Sequence, residues 1–452
     1  MSRKFKTADY EKTLDIEVRL REVLPPEHLA RFIVDVMAML NLSIIYQQYS
    51  ELGAPPYAPE ILLGLLLYGY ITGVFSTRKI EQATYESIPF RYIAGGMHPD
   101  HDTIANFRKQ FLGELKELFV QVLLIAEEMG HLALGNVSLD GSKIHADASK
   151  SKAVSYKRLL ELEAFLQQEV EELFALAEAD EGGQLPEGMN IEDEIERRQQ
   201  QLARLAEARQ VLEARAQARY EAEKAEYEAK MKEREEKEAR TGRKPGGRPP
   251  QSPTPGPDDK DQYNFTDPES RIMKNSTDNG FDQHYNVQVA VEHDSRLIVG
   301  QTVLDQPNDK QAALPTIDTI PAKVGIPKAA NLDNGYFSEP NIVELEARGI
   351  NPFIATGRTP HRSSWRAYFE NQPLPLPDNA SATDQMAYKL HTQMGQALYR
   401  LRKSTVEPVI GIIKEVMGFR QFSLRGLLVA AGEWVLVCLA YNLKRLHTLQ
   451  LS

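Results

Sequence analysis

The short run NVSLDGSKI (136–144) reads as a strand, yet the chain then changes character for roughly 110 residues before α/β patterning resumes at 263. No other feature constrains the fold as much. Within the interruption, KRLLELEAFLQQEVEELFALAEADEGG places Leu159, Leu162, Leu166, Leu173 and Leu176 close to a heptad seam. IEDEIERRQQQLARLAEARQVLEARAQ repeats the idea after a Gly/Pro-containing break. Two amphipathic helices with a short connection predict an antiparallel hairpin over 151–240, inserted into another domain. Residues 241–262, rich in Pro and Gly, are expected to form a flexible linker.

With 151–262 set aside, the remaining chain has a simple order. Residues 1–130 are helical in pattern, with breaks at GAPPYAP and GGMHPDHDT. Asp102 or Thr103 is the expected cap of one long helix ending near Gly130. The strand at 131–150 follows. From 263 to 452 come QHYNVQVAVEHD and RLIVGQTVLDQ as a hairpin turned at Asp294-Ser295, a helix broken near its proline, the strand AANLDNGYF, a capped helix, and the strand NPFIAT. A Pro/Ser-rich loop, a helical region from about Thr383 to Met417, and a buried helix to about His447 complete the chain. The fold class is α/β: a mixed sheet flanked by helices, with an all-helical N-terminal domain and a helical-hairpin insertion.

Composition narrows the function classes. The single cysteine, Cys438, excludes an intrachain disulfide and a zinc site of paired thiolates, and suits a reducing cytoplasm. EILLGLLLYGYITGVF is too short to span a bilayer, and GLLVAAGEWVLVCLAYNL carries Glu433 near its middle, so both are expected to be core helices and no membrane partner is expected. The N-terminus has no apolar run of the signal-peptide type. Net charge is −11, but about −8 of it lies between Ser151 and Arg240. Elsewhere acids and bases nearly balance, which leaves room for a basic groove.

Three carboxylates stand out: Asp140 at the end of the first strand, Asp333 at the end of the fourth core strand, and Glu407 in the late helix. Strand ends of an α/β sheet open into crevices, and converging acids need a cation; hard Mg²⁺ prefers such oxygen ligands. Each acid also has an ordinary reading. Asp140 before Gly and Asp333 before Asn-Gly are turn residues, and Glu407 alone is a solvated helix acid.

The blocks LDGSKIHADAS, DPESRIM, NLDNGYFSEPN and YRLRKSTVEPVIGIIKEVMGFRQFSLRGL resemble the signature blocks of DDE-type insertion-sequence transposases, specifically the insertion-sequence-eleven-eighty-two group. The segments PPYAPEILLGLLLYGYITGVFSTRKIEQATYESIPFRYIAGG and PDHDTIANFRKQF resemble the helical domain preceding the catalytic core in that group. The resemblance implies a ribonuclease-H-like core with Asp140, Asp333 and Glu407 as catalytic residues and metal ligands. It implies two Mg²⁺ ions per site, with Mn²⁺ substituting. The partners it implies are double-stranded DNA, both transposon ends and target, and a second copy in a homodimer. The activity would be cleavage at terminal inverted repeats and joining of 3′ ends to target DNA, in a bacterial cytoplasm at the nucleoid.

Related transposases carry a Tyr, Arg, Glu, Lys pattern around the third acid, which points to Tyr399, Arg402 or Lys403, and Lys414 as DNA contacts. Here the spacing departs: Lys403 stands four before Glu407, where the pattern has Arg. Lys414, seven after Glu407, is expected on the same helix face. Further candidates are Lys143, Arg271 and Lys274, and in the N-terminal domain Arg78, Lys79, Arg91, Arg108 and Lys109. His145, Asp147, Tyr285 and Asn286 are expected to be structural. Two rival readings are a retired transposase that only binds DNA and a metal-dependent nuclease without strand transfer.

Overall fold

The computed structural model describes residues 19–49, 55–179, 190–242, 246, 249–275, 280–357, 376 and 380–451. The N-terminal 18 residues and most of the Pro/Ser-rich loop lie outside them. The chain divides into two compact units, Met1–Ile144 with Asn286–Ser452, and His145–Tyr285. Both dividing points fall inside strands.

The first unit is built on a mixed sheet. Its strands are β1 (Asn136–His145), β5 (Phe281–Glu292), β6 (Ile298–Leu304), β7 (Ala329–Leu332) and β8 (Asn351–Ile354), in the order β6-β5-β1-β7-β8. β1, β7 and β8 run parallel, and β6 is antiparallel to β5. The His293 amide donates to Asn136 and the Ala146 amide to Gln283, a pairing that descends along one strand as it climbs the other. β5 is therefore antiparallel to β1. The β5–β6 hairpin turns through 293–296, where Arg296 takes φ +59°, the left-handed conformation the tight reversal requires.

The helix Leu427–Gln450 joins this sheet to the N-terminal helices, packing on β6, on Pro59–Thr72 and on Leu115–Glu128. Polar side chains stitch it to β5 and β6. The Asn442 amide both donates to and accepts from the Ile298 backbone at 2.8 Å, and Trp434 Nε1 donates to the Gln288 carbonyl at 3.2 Å. The described N-terminal helices and the chain from Asn286 onward therefore fall within one unit. Among the described residues this is the one single helix long and apolar enough to cross a membrane, and 72% of its apolar window is buried in the protein. Glu433, fully buried within it, accepts hydrogen bonds from Tyr70 Oη (2.7 Å), the Ser423 and Leu424 amides (3.0 and 3.1 Å) and Ser423 Oγ.

Some local expectations change. The long helix after GGMHPDHDT is two helices, His101–Gln110 and Leu115–Glu128, separated by a turn around Gly113. Its cap is Asp100 rather than Asp102 or Thr103, because the Asp100 carboxylate accepts both the amide (2.7 Å) and the hydroxyl (3.0 Å) of Thr103.

In the second unit, helices Tyr156–Ala179 and Ile191–Thr241 form the hairpin. The pairs Arg198–Glu169, Arg209–Glu163 and Tyr156–Glu213 show that the helices are antiparallel. Leu159, Leu166, Leu205, Ala208 and Leu212 fill the seam with Tyr263, while Leu176 is 54% exposed and lies off it. The strand pair β2 (Ala153–Ser155) and β3 (Gln262–Asn264) closes the base. β4 (Arg271–Lys274) pairs with the first residues of β5. The linker is not free along its described length. Arg219 binds Asp261 (3.0 Å), and the amides of Tyr156 and Lys157 donate to Asp261 and Asp259, laying the Pro-rich segment along the hairpin.

Glu433→Ala leaves several buried donors without an acceptor and should destabilise the protein by about 3 kcal/mol in urea denaturation, with Glu433→Gln costing less.

Candidate active site

Register brings the first two acids together. β1 pairs with β7 with Ser138 opposite Asn331, so two residues further on Asp140 and Asp333 point to the same face of neighbouring parallel strands. β1 itself runs on to His145. Asp140 is thus not at the end of its strand as expected; it stands where the pairing with β7 ends, because β5 goes on pairing after β7 has stopped at Leu332. Asp333 leaves β7 into a 3₁₀ turn, Asn334–Tyr336, and caps it by accepting the Gly335 amide at 2.8 Å.

The third acid comes from a helix laid over that face. Ser138 Oγ and Asn331 Nδ2 both meet His293 Nε2, at 2.9 and 3.2 Å. Asn331 Nδ2 also donates to the Leu398 carbonyl at 2.9 Å. Leu398 belongs to the helix Gln393–Gly411, whose N-terminus Thr392 caps. From it Arg402 reaches down, with Nη1 3.1 Å from Asp140 Oδ2 and Nη2 3.3 Å from Glu407 Oε1. The Arg402 side chain is 12% exposed and that of Asp140 19%, whereas Glu407 is 46% exposed.

The electrostatics match this geometry. Burial pushes the Asp140 carboxyl up to about 6 against the attraction of Arg402, and the like charges of Asp333 and Glu407 add to the push. Burial also raises the Tyr399 phenol, with Arg402 opposing and Asp333 reinforcing. Lys143 and Lys414 are both half-buried, and burial lowers the pKa of each ammonium. Lys414 further lowers that of Lys143, while Asp309 raises it. Lys143 Nζ donates to the Pro307 carbonyl at 2.8 Å.

Several sequence-predicted residues are placed differently. Lys414 is not on one continuous α-helix with Glu407. The helix contains Pro408, which lacks an amide, and after Gly411 it widens into a π turn, Ile412–Val416, that rotates Lys414 away from the α-helical position seven residues on. Of the two basic candidates before Glu407, Arg402 faces the acids and Lys403 is exposed. Arg108 is only 9% exposed; its guanidinium donates to Tyr70 Oη (3.1 Å) and Ser423 Oγ (3.2 Å), so it belongs to the Glu433 network and not to a phosphate-binding surface. Arg78, Lys79, Arg91 and Lys109 are exposed on the N-terminal helices. Arg271 and Lys274 lie on β4 in the second unit. Arg271 folds onto the carbonyls of Pro268, Glu269 and Ser270 at 3.1, 3.0 and 3.1 Å, and Lys274 is exposed. His145 packs on the His284 ring at 4.3 Å, Asp147 is half-buried, and Tyr285 donates to buried Asp267.

Pattern reading missed a second layer around Asp309. Its Oδ1 accepts from Asn286 Nδ2 (2.8 Å) and Gln288 Nε2 (2.7 Å), and Tyr336 Oη donates to Gln288 Oε1. One signal was legible: Asn286 and Gln288 are polar residues at alternate positions of an otherwise apolar strand, so they share a face that needs partners.

Among the described residues, no three His, Cys, Asp or Glu side chains are grouped closely enough to hold a metal ion as they stand. Arg402 is the cation between Asp140 and Glu407. The donor chemistry nevertheless suits Mg²⁺: all three groups are carboxylates, and Asp140 is held at a cost that a cation relieves.

A strand-borne Asp, a second Asp in register beside it, and a helix-borne Glu linked to the first through an arginine define an acidic site on a mixed α/β sheet. Residues 18–110 match the family described as transposase domain (DUF772), and residues 372–447 match the transposase DDE domain. Both matches support a DDE-type insertion-sequence transposase. Of the three acids, only Glu407 lies inside a matched region. No curated protein and no solved structure matches the chain.

Because folded Asp140 holds its proton up to about pH 6, against an ordinary carboxylate value of 3.8, the folded state binds more protons between those values and loses stability as pH rises through them. Asp140→Asn should therefore be more stable than the natural protein by about 2 kcal/mol at pH 7.5, a gain that vanishes near pH 4. Denaturation in chelator at the two pH values measures it.

Proposed function

We propose that this transposase cuts DNA at the ends of its element and joins the 3′ ends to target DNA, using Asp140, Asp333 and Glu407 on a ribonuclease-H-like core. The side-by-side placement of Asp140 and Asp333, with Glu407 tied to Asp140 through Arg402, carries the reading, supported by the family matches. The carboxylates would hold divalent cations once the Arg402 guanidinium has left its place between Asp140 and Glu407. When bound, Mg²⁺ would supply Lewis-acid activation of a water or 3′ hydroxyl and stabilise charge on the phosphate being transferred.

The chain's own residues do the rest. Arg402, freed from the acids, is a planar fork suited to a phosphate. Lys414, half-buried and with its proton affinity lowered by burial, would gain from a phosphate placed beside it. Burial of Asp140 keeps bulk water from screening these charges. Phosphoryl transfer needs positioning and electrostatics rather than a protein nucleophile. A two-ended substrate also favours a homodimer, each copy holding one end.

The test is incubation with Mg²⁺ and a supercoiled plasmid bearing the element's ends. Nicked ends together with joined products are expected. Asp333→Asn or Glu407→Gln should lower cleavage by at least about 10³-fold, as loss of a metal ligand at such a site implies, while leaving DNA retention in gel-shift within a few fold. Cleavage without joined products would make the protein a nuclease, and binding without cleavage would make it a retired transposase.

A further inference from the structure

Asp309 lies in the segment after β6, on no element that carries a catalytic acid, and its surroundings are unusual. Gly141 follows Asp140 directly, and a Cβ built there would lie 2.2 Å from Gln288 Nε2 and 2.9 Å from Asp309 Oδ1. Gly335 lies two residues after Asp333; a Cβ there would lie 3.0 Å from Asp333 Oδ1 and 3.5 Å from Asp309 Oδ2. One carboxylate therefore lies beside the backbone next to both aspartates, tight at Gly141 and at ordinary contact distance at Gly335. Alternation along β1 turns Gly141 to the face opposite Asp140, so Asp309 approaches from beneath the site.

The carboxylate is held from its other side. Asn286 and Gln288, both on β5, donate to Oδ1, and Tyr336 in the turn after Asp333 donates to Gln288. Lys143, on the same face as Gly141, ties down the segment by binding the Pro307 carbonyl. β5, β1 and the turn after β7 thus meet at one side chain.

We propose that Asp309 is a positioning residue, a clasp that sets the spacing between the main chains carrying Asp140 and Asp333 by accepting the amides of Asn286 and Gln288 while filling the space at Gly141 and Gly335. It acts by shape and hydrogen bonding, not by charge. Its consequence for metal binding rests on the function proposed above; its consequence for the backbone does not.

Three proteins separate the possibilities: the natural chain, Asp309→Ala and Asp309→Asn. An asparagine keeps the Oδ1 acceptor for both amides and loses the charge. Hydrogen–deuterium exchange over 136–145 and 329–337 reads the backbone without metal. Protection should fall at least tenfold in D309A and stay within threefold of the natural chain in D309N. Mn²⁺ titration followed by electron paramagnetic resonance should show at least tenfold weaker binding in D309A and recovery in D309N. Unchanged exchange in D309A, or D309N as impaired as D309A, overturns the proposal, the second because the charge would then be what acts. If the natural chain binds no Mn²⁺, or binds it equally after Asp140→Asn, the metal reading fails while the exchange result still decides the clasp.

Discussion

Like charges held together in a poorly solvated place repel, and the arrangement of this protein's first unit follows from how that repulsion is met. Asp140 and Asp333 are neighbours because two parallel strands pair in one register, and Glu407 is brought near by the helix above them. The Arg402 guanidinium, almost buried, holds Asp140 and Glu407 at once. Removing it would leave the acids with no protein cation between them. Any group that took its place would have to be a cation, because an anion there would only add to the repulsion.

That arrangement rests on a deeper layer of buried polar contacts. The Ser138–His293–Asn331 chain anchors the Gln393–Gly411 helix to the sheet through the Leu398 carbonyl. Asn442 and Trp434 fix the last helix to β5 and β6, while Glu433 fixes it to the N-terminal helices. In a core this apolar, each satisfied polar pair costs little, and any displaced alternative would leave it unsatisfied. Rigidity is what a site of converging acids needs, since small shifts in carboxylate spacing change what it can hold.

Periodicity made the order of elements in the α/β region, the antiparallel hairpin and the burial of the two apolar stretches legible, because each depends on local alternation or on a run of apolar residues. The triad was legible as three acids in telling contexts and through resemblance. Their proximity was not, because it depends on the β1–β7 register between residues 193 positions apart, 140 and 333. Arg402 against Lys403 was ambiguous for a related reason: adjacent helix residues differ by about 100° in direction, and which of the two turns toward the acids depends on how the helix lies over the sheet. Arg108 misled because a buried arginine and a DNA-facing one look alike in one dimension.

The sequence by itself determined which segments could be strands and which helices, that one sheet is interrupted by an inserted hairpin, and which acids were candidates. These follow from local propensity and side-chain periodicity, which act over a few residues. Only the tertiary structure decided that Asp140 lies beside Asp333, that Arg402 stands between Asp140 and Glu407, and that Asp309 meets Asn286 and Gln288 next to Gly141. Those outcomes depend on contacts between residues far apart in the chain, where burial and charge are set by neighbours that folding brings together.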